Sequence, residues 1–124
     1  MKPRLLFAAA LMLATVPAAQ AYELRFTGPS RTTPALKRDV LNAITGYSKY
    51  TYKCSFIFSV ESAQLPPSYV PRTPLYQIAA PQHSYERWLI NLCGKKRSFL
   101  LGLWPAPQGG ANFKVLEVPP GIVP

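Results

Sequence analysis

The chain has few of the residues from which metal centres and catalytic sites are built. Its 124 residues include one histidine, two cysteines and five acidic residues. One histidine and two cysteines fall short of a zinc ligand set, and no C-x-x-C pair is present for redox catalysis. The sequence also lacks a G-x-S-x-G nucleophile elbow and a G-x-x-x-x-G-K-S/T phosphate-binding loop. We therefore expect no metal ion and no cofactor.

The remaining candidates for catalysis are one histidine and scattered carboxylates. His83 lies at the edge of a proline-rich segment, which favours an exposed loop position. Four carboxylates lie where the helix or strand period predicts exposure or a solvated face: Asp39, Glu61, Glu86 and Glu117. No spacing rule brings two of them together, so we predict that the protein is not an enzyme. The alternative requires two carboxylates, or His83 with Glu86, to converge in a pocket.

The N-terminus has the composition of a secretory signal peptide. Residues 1–21, MKPRLLFAAALMLATVPAAQA, carry cations at Lys2 and Arg4, an apolar stretch over 5–16 and a final A-x-A cleavage site. The apolar stretch is shorter than the roughly 20 residues that a transmembrane helix needs. We therefore expect cleavage after Ala21 and a periplasmic or secreted mature protein with no membrane span.

Basic residues outnumber acidic ones. Two of the 14 lysines and arginines fall within residues 1–21, so the mature chain carries 12 against five acidic residues, a net charge of +7. This excess favours anionic partners, such as lipid phosphates, lipopolysaccharide, nucleic acid or an acidic protein surface, but it also promotes solubility. Residues 22–124 suffice for one small domain with one hydrophobic core.

The two cysteines predict one disulfide. Cys54 and Cys93 are the only cysteines of a chain that we expect to reach an oxidising compartment. Closing the loop between them removes chain entropy worth about 4 kcal/mol. We therefore predict a structural bond between Cys54 and Cys93.

The first half of the mature chain alternates between strand and helix patterns. Residues 22–26, YELRF, have the period of a half-buried strand. Thr33 as N-cap and Pro34 at the first helical position predict a helix that ends before Gly46. From 50 to 61 the period changes to two, which predicts a strand whose aromatic face packs on the helix.

Residues 65–81, LPPSYVPRTPLYQIAAP, form an unusually long proline-rich loop. Loops of this length are often functional, and this one is held between the two cysteines. Its aromatic side chains indicate that it lies against the body of the protein. Candidate binding residues on it are Tyr69, Arg72 and Tyr76.

Residues 88–104, WLINLCGKKRSFLLGLW, predict a β-hairpin with an apolar face. A turn over 94–97 sets Leu92 opposite Phe99, whereas a shorter turn sets Leu92 opposite a cation. The longer turn leaves Cys93 on the other face, so Cys93 needs a bulge to reach its partner, or the register differs. The longer turn exposes three candidate binding residues at the tip of the hairpin: Lys95, Lys96 and Arg97.

A last strand is predicted over 112–118. The order strand, helix and four strands indicates an α+β domain, with the N-terminal helix packed on a four- to five-stranded antiparallel sheet. In topology alone this resembles a cystatin-type arrangement. No family motif accompanies the resemblance, so it implies no cystatin activity.

Two segments combine cations with aromatic or turn residues. The stretch 47–54, YSKYTYKC, has the mixture that stacks on nucleic acids or sugars, but the strand period favours a core role for its tyrosines. The basic hairpin tip is either a charged turn that prevents edge association or a cationic binding finger.

Two functions follow. The first is a small exported non-catalytic binding protein, such as an inhibitor or immunity-type factor, that engages a protein partner through the proline-rich loop and the basic hairpin. The alternative is an envelope protein that binds an anionic lipid or polysaccharide through the hairpin tip, assisted by Arg87 and Lys114 if these two share a face. Export disfavours nucleic acid as the partner.

Overall fold

The computed structural model describes residues 24–124, so the predicted signal peptide lies outside the described residues. One helix packs on a five-stranded sheet, which confirms the α+β fold. The elements in chain order are β1 (Arg25–Thr27), α1 (Pro34–Tyr52), β2 (Ile57–Gln64), a short 3₁₀ helix (Pro74–Tyr76), β3 (Ser84–Leu92), β4 (Lys95–Pro105) and β5 (Ala111–Val118). Within this described part of the chain, no helix is long and apolar enough to cross a membrane.

The strands lie in sequence order across the sheet. Neighbours from β2 to β5 are antiparallel, whereas β1 is parallel to β2, with Phe26 beside Val60. A purely antiparallel sheet was expected. The parallel pair is possible because α1 carries the chain back across the sheet between the two strands.

Helix α1 begins as predicted and ends later than predicted. The Thr33 hydroxyl accepts a hydrogen bond from the Leu36 N–H at 3.2 Å, and Pro34 opens the helix. Gly46 does not end it. The helix continues to Tyr52 and is closed by Lys53 in the left-handed conformation (φ 59°). The segment predicted as the start of a strand is therefore the last part of α1.

The main core lies between α1 and the sheet. Trp88 is fully buried near its centre, with the Phe26 ring packed edge-on at 5.1 Å between ring centroids. The buried residues of this core are Val40, Ile44, Cys54, Ile57, Val60, Trp88, Ile90, Leu92, Phe99, Leu101 and Leu103. The apolar face predicted for the β3–β4 hairpin is therefore confirmed.

The predicted hairpin register is wrong. The turn consists of Cys93 and Gly94, with φ values of 53° and 93°, so Leu92 faces Lys95 and Trp88 faces Phe99. Turns with two positive φ angles match the twist of the flanking strands. The register shift keeps the same side chains inward because side chains alternate with a period of two. Lys95 therefore lies in β4 and not in a loop at the tip.

The predicted disulfide is confirmed. Cys54 and Cys93 are bonded, with their Cα atoms 6.0 Å apart. The left-handed conformation of Cys93 takes its side chain out of the strand alternation, which resolves the difficulty that the longer turn created. The bond joins the end of α1 to the β3–β4 turn.

The proline-rich loop covers the other face of the sheet. Tyr76, Tyr85 and Leu100 form a second buried cluster, and Tyr69 and Ile78 pack against it. The loop is also tied to the C-terminal segment by the Arg72 N–H, which donates to the Pro124 carbonyl at 3.0 Å. The sheet thus lies between α1 and the loop.

Candidate binding surface at the disulfide end

Three segments meet around the Cys54–Cys93 bond. The Cys54 N–H donates to the Ser48 carbonyl at 3.2 Å, which fixes the chain as it leaves α1. The Cys93 N–H donates to the Phe56 carbonyl at 3.3 Å, which fixes the same segment to the β3–β4 turn. We call the surface formed by residues 49–58 and 93–96 the disulfide end.

The disulfide end is basic. Its lysines are Lys49, Lys53, Lys95 and Lys96, and all four are exposed. Lys96 forms an ion pair with Glu61, with 3.0 Å between Nζ and Oε2. Within residues 24–124 the other three lysines form no ion pair, so the electrostatic field at this end of the protein is positive.

The disulfide end also exposes aromatic rings. Tyr50 is 85% exposed, Phe56 52% and Phe58 45%. The two phenylalanine rings stack, with centroids 6.1 Å apart and planes 8° from parallel. The strand period predicted that both rings face the core. A β-bulge between Ile57 and Ser59 breaks this period, so Ile57 is buried and the phenylalanines are exposed.

Arg97 does not belong to this surface. Its guanidinium lies 3.5 Å from the centre of the Tyr52 ring and 3.4 Å from Glu117, between α1 and the sheet. The Tyr47 and Tyr52 hydroxyls both donate to Glu117. Partial burial and the bond to Glu117 raise the pKa of Tyr47, and the bond to Glu117 raises the pKa of Tyr52. This group fastens the end of α1 to β5.

The three candidate binding residues of the proline-rich loop differ in how exposed their side chains are. Tyr76 is buried, and its hydroxyl donates to the Glu117 carbonyl at 3.1 Å. Tyr69 is half-buried, with its ring edge-on to Tyr85 at 5.4 Å, and desolvation raises its pKa. Arg72 is exposed and, with Arg87, lines a groove of about 490 Å³. Of the three, Arg72 is the one whose side chain is open to a partner.

The expected exposure of Glu86 is wrong. Glu86 is completely buried on the helix side of the sheet. Its carboxylate accepts hydrogen bonds from the Ser30 hydroxyl at 2.7 Å, the Arg31 N–H at 2.6 Å and the Trp88 indole at 3.0 Å. The bonds from Ser30 and Arg31 hold the loop between β1 and α1 on β3. The strand period already places Glu86 on the face of Trp88, so this signal was present in the sequence.

His83 is exposed at the start of β3. Its Nδ1 lies 2.6 Å from the Ala80 carbonyl, and its ring packs edge-on against Tyr85. Among the residues that the structure describes, no group of three or more histidine, cysteine, aspartate or glutamate side chains is arranged to hold a metal ion.

No protein-family model, curated protein or solved structure matches this chain.

Proposed function

We propose that this is a small exported, non-catalytic binding protein whose ligand is an anionic component of the cell envelope. The observation that carries the proposal is the disulfide end, where Lys49, Lys53 and Lys95 are exposed and unpaired within residues 24–124. The proposed surface differs from the predicted hairpin tip: it keeps Lys95 and Lys96, omits Arg97, and adds Lys49 of α1 and Lys53.

The scaffold beneath these lysines favours binding. The disulfide and two backbone hydrogen bonds hold the three contributing segments together, so little backbone order has to be gained when a ligand binds. Exposed side chains on such a rigid base commonly carry recognition. Glu61 offsets the charge of one lysine, Lys96, and leaves the charges of Lys49, Lys53 and Lys95 uncompensated by an ion pair within residues 24–124.

Export is part of the proposal. It is supported by the signal-peptide pattern of residues 1–21 and by the disulfide, because stable disulfides are typical of oxidising compartments. In the periplasm or outside the cell, the abundant polyanions are lipid headgroups and acidic polysaccharides.

The test is retention of the mature protein on anionic vesicles and on immobilised lipopolysaccharide. The test variant replaces Lys49 and Lys95 by Gln and Lys53 by Asn, because Asn tolerates the left-handed conformation that closes α1. A matched control removes three exposed charges elsewhere, at Arg31, Arg38 and Arg72.

Retention should weaken steeply with salt, fall strongly in the lysine variant and change little in the arginine control. Equal losses in both variants would show that net charge, and not the disulfide end, governs binding. Absence of retention on both supports would contradict the proposal.

A protein partner is the second candidate, and the proline-rich loop supports it. Val70 is 68% exposed and Leu75 61% exposed, and Arg72 lies close by in the sequence. Deleting residues 66–76 is not a clean test, because it removes Tyr76 from the second core. Replacing Val70 and Leu75 by Ser and Arg72 by Glu leaves that core intact. Unchanged cross-linking to partners in the native envelope would exclude this surface.

A further inference from the structure

We infer that the disulfide end docks on an anionic lipid bilayer and inserts its aromatic rings between the headgroups. This inference rests on the proposed function and specifies its ligand. It goes further because a soluble polyanion is attracted by the lysines alone, whereas a bilayer also offers an apolar layer for the rings.

The rings and the lysines belong to the same small surface. In the sequence, Lys53 lies between Tyr50, in the last turn of α1, and Phe56, in the segment that follows α1. The N–H of Cys93 holds the Phe56 backbone beside the turn that precedes Lys95. The segments that carry the charged and the aromatic side chains are therefore held together at one end of the sheet.

The exposure of the rings indicates an apolar partner layer. Tyr50 is 85% exposed, and the stacked pair of Phe56 and Phe58 is about half exposed. Exposed aromatic rings keep apolar area in water that a bilayer interface would remove. Tyrosine suits the interface because its ring is apolar and its hydroxyl stays hydrated. Lysine suits it because its stem lies on apolar surface while its ammonium meets the phosphates.

The two contributions have different salt dependence. Each lysine close to an anionic membrane strengthens binding about fivefold at physiological ionic strength, and salt screens this part. Burial of the rings is not screened. Binding to vesicles should therefore keep a salt-resistant part, whereas binding to a soluble polyanion should disappear at high salt.

The test compares two probes. One is a vesicle of phosphatidylcholine and phosphatidylglycerol, and the other is soluble heparin. The aromatic variant replaces Tyr50, Phe56 and Phe58 by Ser. The control replaces two exposed apolar residues of the proline-rich loop, Val70 and Leu75, by Ser. Far-UV circular dichroism and urea unfolding establish that both variants are folded.

The aromatic variant should lose about tenfold or more in vesicle affinity while its heparin affinity stays within about twofold, and the control should behave as wild type. Equal vesicle affinities of the aromatic variant and the control would overturn the insertion of the rings, and loss of binding in the lysine variant would still uphold the proposed function. If the wild-type protein binds neither the vesicles nor heparin, both the proposed function and the insertion of the rings are overturned.

A ring-preserving variant covers the case in which the serine variant is unstable. Phe56→Trp should show blue-shifted emission on anionic vesicles and quenching by lipids brominated in the acyl chains. If the emission of the Phe56→Trp protein is the same when it is bound to vesicles as in buffer, the proposed insertion of the ring is overturned.

Discussion

Replacing Glu86 by Gln is expected to destabilise the fold by about 2–4 kcal/mol. The Glu86 side chain is completely buried, and both of its oxygens accept hydrogen bonds from donors fixed by the backbone or by packing. A glutamine has nearly the same shape but offers one oxygen and one NH₂ group. The perturbation is therefore electrostatic and creates no cavity.

The magnitude follows from the hydrogen-bond geometry. If the amide NH₂ takes the place of Oε2, it meets the Arg31 N–H. If it takes the place of Oε1, it meets the Trp88 indole N–H. Neither group can accept a hydrogen bond. In either orientation the variant leaves one buried donor unpaired, at about 1–3 kcal/mol, and its remaining bonds are no longer charge-assisted, which costs about 1 kcal/mol more.

Urea unfolding monitored by tryptophan fluorescence measures this loss, because Trp88 lies in the main core. Glu61→Gln is the control, since Glu61 is exposed and its ion pair with Lys96 contributes little. We expect a change below about 0.5 kcal/mol for the control. A loss of the same small size for Glu86→Gln would refute the assignment of Glu86 as the anchor between the Ser30 loop and β3.

Three further predictions concern stability, and a fourth concerns the pKa of Tyr47. Replacing Cys54 by Ser should lower the free energy of unfolding by about 4 kcal/mol, measured in urea against the oxidised protein, and a loss below about 1 kcal/mol would contradict the entropic account. Gly28→Ala should lower the melting temperature by several degrees, because Gly28 has φ 89° and a Cβ there would lie 2.0 Å from the Ser62 carbonyl oxygen; an unchanged melting temperature would contradict that close approach. The raised pKa of Tyr47 stabilises the fold at neutral pH, and this contribution is lost as the pH rises above the ordinary tyrosine pKa, near 10, toward the folded value. Glu117→Gln should lower the pKa of Tyr47 in an ultraviolet absorbance titration, and an unmoved titration would contradict the hydrogen bond to Glu117.

The start of α1 could be predicted from the sequence, and its end could not. The cap at Thr33 involves only residues within one helical turn, so it can be predicted from neighbouring residues in the sequence. The last turns of α1 are held by Tyr47 and Tyr52 on Glu117, which lies far along the chain. Gly46 lowers helix propensity, but these distant contacts outweigh it.

For the β3–β4 hairpin, the inward-facing side chains could be predicted from the sequence, but the strand register could not. Its apolar faces follow from alternation, which a shift by an even number of residues preserves. The register depends on the turn, and a left-handed Cys93 was not foreseen because non-glycine residues rarely adopt that conformation.

The candidate site was predicted in part. Lys95 and Lys96 were identified from their sequence cluster, and the disulfide brings Lys49 and Lys53 to the same end. The exposed pair of Phe56 and Phe58 was missed, because a single bulge reverses which side chains face the core.

The most direct measurement is the affinity of the mature protein for phosphatidylglycerol-containing vesicles as a function of salt, beside the variant altered at Lys49, Lys53 and Lys95. The account predicts that wild-type affinity falls steeply with salt to a residual level, and that the variant binds about 100-fold more weakly at physiological salt. Equal affinities of the two proteins, or no binding by either, would contradict it.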